Sequence, residues 1–396
     1  MLSVADATQA VLGRVPRLAH VTVPLARARG RVLVMDVVAE RALPGFDNSA
    51  MDGYAARASE LPATLAIAGV VAAGATRREP VPAGAAVRIY TGAPMPADLD
   101  TVVMQEDATV DGERVALPAA PVGDNVRRKG EDIAIGDVVI SAGTRLTAWH
   151  LGVLAALGIG EVLVARAPRV ALIATGDELV DVHTQPGPGQ LVDSSAHALL
   201  GLVEEAGGEP HYLGIARDEI ANVVERLAAA RDYDAVLTTG GVSVGDRDHV
   251  RAAVDATGIA LELYKVAMKP GKPFSFGTYP TGTPFFGLPG NPVSTVVAFE
   301  LFVRPALLAM QHAAATLRPR ATVRLASGYR KSAGRAHYLR AIVTRDGDHL
   351  VATLHPKQGS AMLSSLVDCN ALVEIDADTT VVAAGADVPA LLLEAV

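Results

Sequence analysis

Small and acidic residues follow one apolar run after another in the middle of this chain. Thr175-Gly176-Asp177-Glu178 comes after RVALIA, Arg217-Asp218 after HYLGIA, the loop 239–248 after DAVLT, and the segment 288–294 after PFFG. Loops of this kind, beyond the carboxyl ends of parallel strands, share one crevice where α/β proteins hold ligands. Glu178, Asp218, Asp246 and Asp248 lie within them. They either cap helix N-termini or hold a hard cation such as Mg²⁺ together with substrate phosphates, and four on one rim favour the metal. The Thr-Gly-Gly-Val-Ser run ending at Ser243 and the Pro289-Gly290-Asn291-Pro292 segment are also ambiguous. Each is a tight strand-to-helix turn or a cradle offering backbone N–H groups to an anion, with Asn291 as N-cap and Pro292 at the first helical position.

Matching positive charge comes from Lys265, Lys269 and Lys272. The chain has six lysines (Lys129, Lys265, Lys269, Lys272, Lys331 and Lys357), and three of them fall within residues 265–272. A solvated charged edge is the ordinary alternative. Scarce lysine, apolar intervening residues and a rigid Pro-Gly-Lys-Pro turn favour an anion site instead.

These loops need a frame. Strand-like RVALIATG, HYLGIARD, DAVLTTGGVS and PFFGLPG alternate with helix-like SAHALLGLVEEAGG, EIANVVERLAAAR, HVRAAVDATG and NPVSTVVAFELFVRPALLAM. The alternation predicts a parallel sheet covered on both faces over residues 168–317. Upstream, the pattern predicts a helix over 3–13 capped by Ser3, an extended segment at 31–39, many short strands over 43–139 and a helix over 147–157. Residues 1–42 and 140–167 are expected to form an elongated N-terminal region, with 43–139 a β-rich domain. Downstream, 318–396 reads as a small β barrel or sandwich, with Asp346-Gly347 as a hairpin turn. The fold class is therefore multi-domain α/β plus β. Two upstream loops, DNSAMDGYA at 47–55 and NVRRKGED at 125–132, are either solvated connections or parts of a site.

Composition narrows the class. At roughly 150 residues per domain, 396 residues predict two to three domains. A formal charge of −8 and 4% aromatic residues argue against nucleic acid as the partner. A single cysteine, Cys369, excludes a disulfide framework and multi-cysteine metal sites. The first residues do not read as a secretory leader, and no apolar run of about 18 residues spans a membrane, so a cytoplasmic protein is expected. Neither G-x-x-x-x-G-K-[ST], G-x-G-x-x-G nor H-E-x-x-H occurs, against a P-loop NTPase, a standard dinucleotide binder and a zinc hydrolase.

DNSAMDGYA, TGAPMP, NVRRKGEDI, TGDEL, TTGGVSVGDRD, KPGKPFSFG and GLPGNPVS, in this order, resemble the molybdopterin molybdenumtransferase (MoeA) family, related to the E domain of gephyrin. The resemblance covers nearly the whole chain. It implies an enzyme that takes adenylylated molybdopterin and molybdate, inserts the metal into the dithiolene and releases AMP with Mg²⁺ as cofactor. It also implies a four-domain subunit in an elongated homodimer, with the molybdopterin adenylyltransferase as a further partner. The active site would form between the α/β domain of one subunit and the N-terminal β region of the other. Carried over by position, Glu178, Asp218 and Asp248 are the acidic, metal-holding and catalytic residues, with Lys265 and Lys269 the catalytic cations. Asp52, Thr91, Arg127 and Asp132 are the substrate-binding positions of the N-terminal region, and Arg340 and Ser360 those of the C-terminal domain. Ser243, Lys272, Pro289 and Asn291 complete the substrate-binding set. One departure is visible: after Asp193-Ser194 the family usually has Asn, where this chain has Ser195. Two other readings share the α/β domain: a molybdopterin adenylyltransferase, which would lack the flanking regions, and a non-catalytic pterin-binding scaffold.

Overall fold

The structure, a computed structural model, describes residues 1–75, 77–240, 249–263, 265–394 and 396. At its centre is a six-stranded sheet in the order Glu209–Ala216, Arg169–Thr175, Ala235–Thr239, Pro284–Leu288, Ser275–Thr278, Ala260–Leu263. The first four strands are parallel. The last two pairings are antiparallel, an edge added to the parallel sheet that the strand–helix alternation predicts. The physical reason is local: Pro284–Leu288 follows Ser275–Thr278 after a short turn at Gly282 (φ +87°), too short for the crossover a parallel neighbour needs.

Consecutive apolar residues are what a sheet covered on both faces requires. Leu172, Leu237 and Phe286 face helices Ser194–Glu205 and Pro292–Ala298, whereas Ala171, Ile173, Val236 and Phe285 face Ile220–Ala229 and His249–Ala256. Successive side chains thus serve opposite cores. The helical run 292–310 is 19 residues long, includes a π-helical segment Phe299–Val303, and is 89% buried. It is long and apolar enough to cross a membrane, but here it is the central core helix. The N-terminal helix Val4–Leu12 packs against it, with Ala7 and Val11 in the same core and the Thr8 hydroxyl donating to Leu301 O at 3.4 Å. Ser3 caps that helix, its Oγ accepting from Asp6 N at 3.1 Å.

A second six-stranded sheet, mixed in direction, is built from residues 53–117. Around it, short pairs such as His20–Pro24 with Glu161–Ala165 and Val37–Val38 with Val138–Ile140 form the N-terminal region, together with the helix Ala148–Ala156. The extended segment expected at 31–39 contains the strand Val37–Val38 and isolated bridges at Val32 and Leu33.

Downstream, the strands Ala336–Asp346, His349–Leu354, Arg320–Leu325, Asp387–Leu392 and Ala371–Ile375 close into a five-stranded barrel. Gly347 (φ +55°) makes the expected hairpin turn. A sixth strand joins the barrel edge: Met268–Lys269, from the α/β domain, pairs in parallel with Ala336 and His337.

Candidate active site

The strand Arg169–Thr175 lies between Glu209–Ala216 and Ala235–Thr239, so the crossovers leaving it and entering Ala235–Thr239 lie on opposite sides. Such a switch point opens a crevice at the carboxyl ends of the strands. The Thr175 hydroxyl donates across it to Thr239 O at 3.0 Å. Gly240 has φ +84°, and a Cβ there would sit 2.7 Å from Thr175 O; one on Gly290 would sit 3.4 Å from Gly240 Cα. Backbone approach this close explains the glycines.

The acidic rim stands above this floor. Asp218 N donates to Asp177 Oδ1 at 3.1 Å, and Arg217 Nη1 donates to Asp177 O at 3.0 Å, tying the two loops together. Glu178 is exposed and its carboxylate folds back over Gly176, where a Cβ would meet Oε2 at 2.6 Å. Asp248, Asp246 and Ser243 lie outside the described residues. Among the described residues no group of three or more His, Cys, Asp or Glu side chains could hold a metal ion. Glu178 and Asp218 are the described carboxylates that would serve Mg²⁺, whose shell substrate phosphates and water would complete.

The basic side is built by the segment 265–272. Ala336 N donates to Ala267 O at 2.9 Å, and Val266 N to Lys272 O at 3.1 Å. Gly271 takes φ +102°, and a Cβ there would collide with Met268 Cε at 2.7 Å. This course opens a cleft of about 670 Å³ between the α/β domain and the barrel, lined by Lys269, Lys272, Asn291, Ser294, Arg335, Lys357 and Ser360 among others, with no carboxylate in the described lining. The N-terminus of the core helix opens into it. Asn291 is the N-cap residue, its side chain makes no capping bond, and Val293 N donates to Ser360 O at 3.1 Å. Four cations and a helix N-terminus without a counter-charge make an anion site. Two of these cations, with Lys331, act on His337, the register partner of Lys269. Burial first, then Lys269, Lys331 and Arg335, push its imidazole down to about 4, and Tyr329 Oη lies 2.8 Å from Nδ1.

The structure brings together Lys269, Lys272, Asn291 and Ser360. Lys265 is half-buried and does not line the cleft. Pro289 is buried, and its carbonyl accepts from the Thr295 hydroxyl. Arg340 is 1% exposed and not part of the lining; it bonds the loop that carries Lys357 and Ser360. Asp52, Thr91, Arg127 and Asp132 do not line the cleft either. Asp52 accepts from Thr91 N at 2.7 Å and from its hydroxyl at 2.8 Å, which holds the carboxyl below its ordinary range. Arg127 and Asp132 are exposed on the strand Val126–Arg127 and the loop after it. Ser195 is buried at the second position of its helix, behind the cap Asp193. Arg335 and Lys357 were not among the expected site residues. Arginine is the default surface cation here, so Arg335 gave no signal, whereas Lys357 shared the rarity that marked the other lysines.

Three family models match in succession: "MoeA N-terminal region (domain I and II)" over residues 2–158, "Probable molybdopterin binding domain" over 171–309 and "MoeA C-terminal region (domain IV)" over 322–393. A Mycobacterium tuberculosis protein named molybdopterin molybdenumtransferase 2 is 37% identical, covering 97% of this chain and 98% of its own. The chain belongs to the MoeA family. A Haemophilus influenzae molybdopterin molybdenumtransferase is likewise 37% identical, over 91% of each chain. The crystal structure of the molybdopterin biosynthesis MoeA protein from Pyrococcus horikoshii OT3 superposes with a TM-score of 0.86 at 32% identity, covering 99% of this chain and 100% of that one. Gly241-Val242-Ser243-Val244-Gly245 also spells the G-x-S-x-G of serine hydrolases, but here it follows a strand of a molybdopterin-binding domain.

Proposed function

We propose that this protein inserts molybdate into adenylylated molybdopterin and releases AMP, in a Mg²⁺-dependent reaction. The observation that carries the reading is the cleft lined by Lys269, Lys272, Arg335 and Lys357, free of carboxylates in its described lining and capped by a helix N-terminus. Molybdate, a dianion, suits those cations. Lys269 and Lys272 hold it as point charges, while Asn291, Ser360 and the helix N-terminus supply neutral donors. Positioning a bound oxyanion beside the pterin accounts for much of the acceleration such a site offers.

The acidic rim serves the other half of the reaction. Glu178 and Asp218, together with Asp248, would hold Mg²⁺ against the pyrophosphate of the adenylylated substrate. When bound, the cation supplies charge neutralisation on the departing AMP.

The N-terminal residues fit a partner's contribution. Thr91, Arg127 and Asp132 are exposed and Asp52 is half-buried, and all four lie outside the cleft, which suits insertion into a second subunit's site. Exposed Met35, Val38, Ile135, Val138 and Trp149 (84% exposed) give the N-terminal region an apolar surface for that homodimer. The molybdopterin adenylyltransferase, whose product is the substrate here, is the natural partner, and a cytoplasmic location goes with both.

The test is AMP release from adenylylated molybdopterin, with and without molybdate and Mg²⁺. Molybdate-stimulated release in the wild type, reduced at least a hundredfold in Glu178→Ala, supports the reading. Tight pterin binding without AMP release would overturn it in favour of a scaffold.

A further inference from the structure

The four cleft cations are held in different ways. Lys269 lies on a paired strand, Lys272 follows the Gly271 turn, and Arg335 immediately precedes the barrel strand Ala336–Asp346. Lys357 is different: residues 355–359 form neither helix nor strand, yet they carry its side chain to the cleft wall.

What fixes that loop is one buried guanidinium. Arg340 Nη2 donates to Lys357 O at 2.9 Å and to Gly359 O at 3.1 Å, and Nε donates to Ser365 Oγ at 3.1 Å. The backbone of Arg340 binds the same loop. Its N donates to Gln358 Oε1 at 3.2 Å, and its carbonyl accepts from Gln358 Nε2 at 2.8 Å and from His355 N at 2.9 Å. At the far end, Ser360 O accepts from Val293 N of the core helix. The loop is therefore held at its base and its tip, while the Lys357 side chain is exposed and no carboxylate pairs with it among the described residues.

We propose that Lys357 is an oxyanion-binding side chain of this site and that Arg340 is the positioning residue that delivers it. The proposal rests on the reading of the cleft as an oxyanion site. Arg340 is 1% exposed, and its Nε and Nη2 donors are committed to the loop and to Ser365, so it acts on the anion through Lys357 and Ser360 rather than by contact. Lys357 adds a mobile point charge on a flexible stem, suited to a tetrahedral dianion whose oxygens point several ways. An ammonium ion lost from such a site lowers affinity and also its salt dependence, because fewer charges are being screened.

The test is titration calorimetry of the full-length protein with molybdate, and with sulfate as a second tetrahedral dianion, at two ionic strengths. Lys357→Gln is expected to weaken molybdate about tenfold, a loss of about 1.4 kcal/mol, and to flatten the salt dependence. Arg340→Lys is expected to weaken it to a similar extent. Adding Arg340→Lys to Lys357→Gln should then cost less than the product of the two single effects, because both act on the same loop. Lys357→Gln binding as tightly as the wild type would overturn the role of Lys357. Fully multiplicative losses in the double variant would overturn the positioning role and make Arg340 a contact of its own. A wild type that binds neither dianion would bring down the underlying reading of the cleft, a result distinct from both. If Arg340→Lys does not fold, Lys357→Arg decides: retained charge should restore most of the affinity.

Discussion

Single residues set the electrostatics of this site, and His337 is the one that reports on them. Its imidazole is buried beside Lys269, Lys331 and Arg335, which lowers it from 6.5 to about 4. Its neutral form is therefore the one the fold favours. The stability it contributes is complete above about pH 6.5 and is lost as pH falls through about 4. Urea midpoints measured between pH 7 and pH 4 should fall less steeply in His337→Gln than in the wild type; parallel curves would contradict the assignment. Gly240 makes a different demand. With φ +84° and no room for a Cβ beside Thr175 O, Gly240→Ala is expected to cost about 2 kcal/mol or more, read as a lower denaturation midpoint.

Elements show where sequence reading succeeds and where it stops. The four parallel strands were legible because each is a continuous apolar run that needs cover on both faces, and the glycine and acidic loops were legible because they end those runs. The antiparallel edge was not: PFSFG reads as the tail of a lysine-rich turn until the hairpin at Gly282 is seen. Met268–Lys269 could not have been found at all. Two residues carry no periodicity, and their partners Ala336 and His337 are remote in sequence. The clamp at Arg340 was hidden for a related reason, since nothing local separates an arginine that touches a ligand from one that holds a loop. At the same scale, Glu300 in the π-helical segment accepts a two-pronged contact from Arg318, 2.8 Å to Nε and 2.9 Å to Nη2, and is 3% exposed. Glu300→Ala, which strands Arg318 and Arg304, is expected to destabilise by about 3 to 5 kcal/mol in equilibrium unfolding.

At the scale of the whole molecule, the proposed function calls on a second subunit to complete the site. Sizing chromatography of the 40.9 kDa chain should give a dimer. Trp149→Glu, placing charge on the exposed apolar surface, should shift it toward monomer with loss of AMP release but intact secondary structure. A monomeric wild type with full activity would contradict a shared site.

The strand at 268–269 has a thermodynamic consequence. Because the α/β domain supplies an edge of the barrel before its own last strands are laid down, the two bodies are interleaved along the chain rather than joined end to end. They cannot melt independently: losing the barrel leaves the 265–272 segment unsupported, and losing the central sheet takes a strand from the barrel. Calorimetry should therefore show one endotherm for both, and a chain ended after residue 317 should be less stable in its α/β part than the intact protein, with the oxyanion cleft gone.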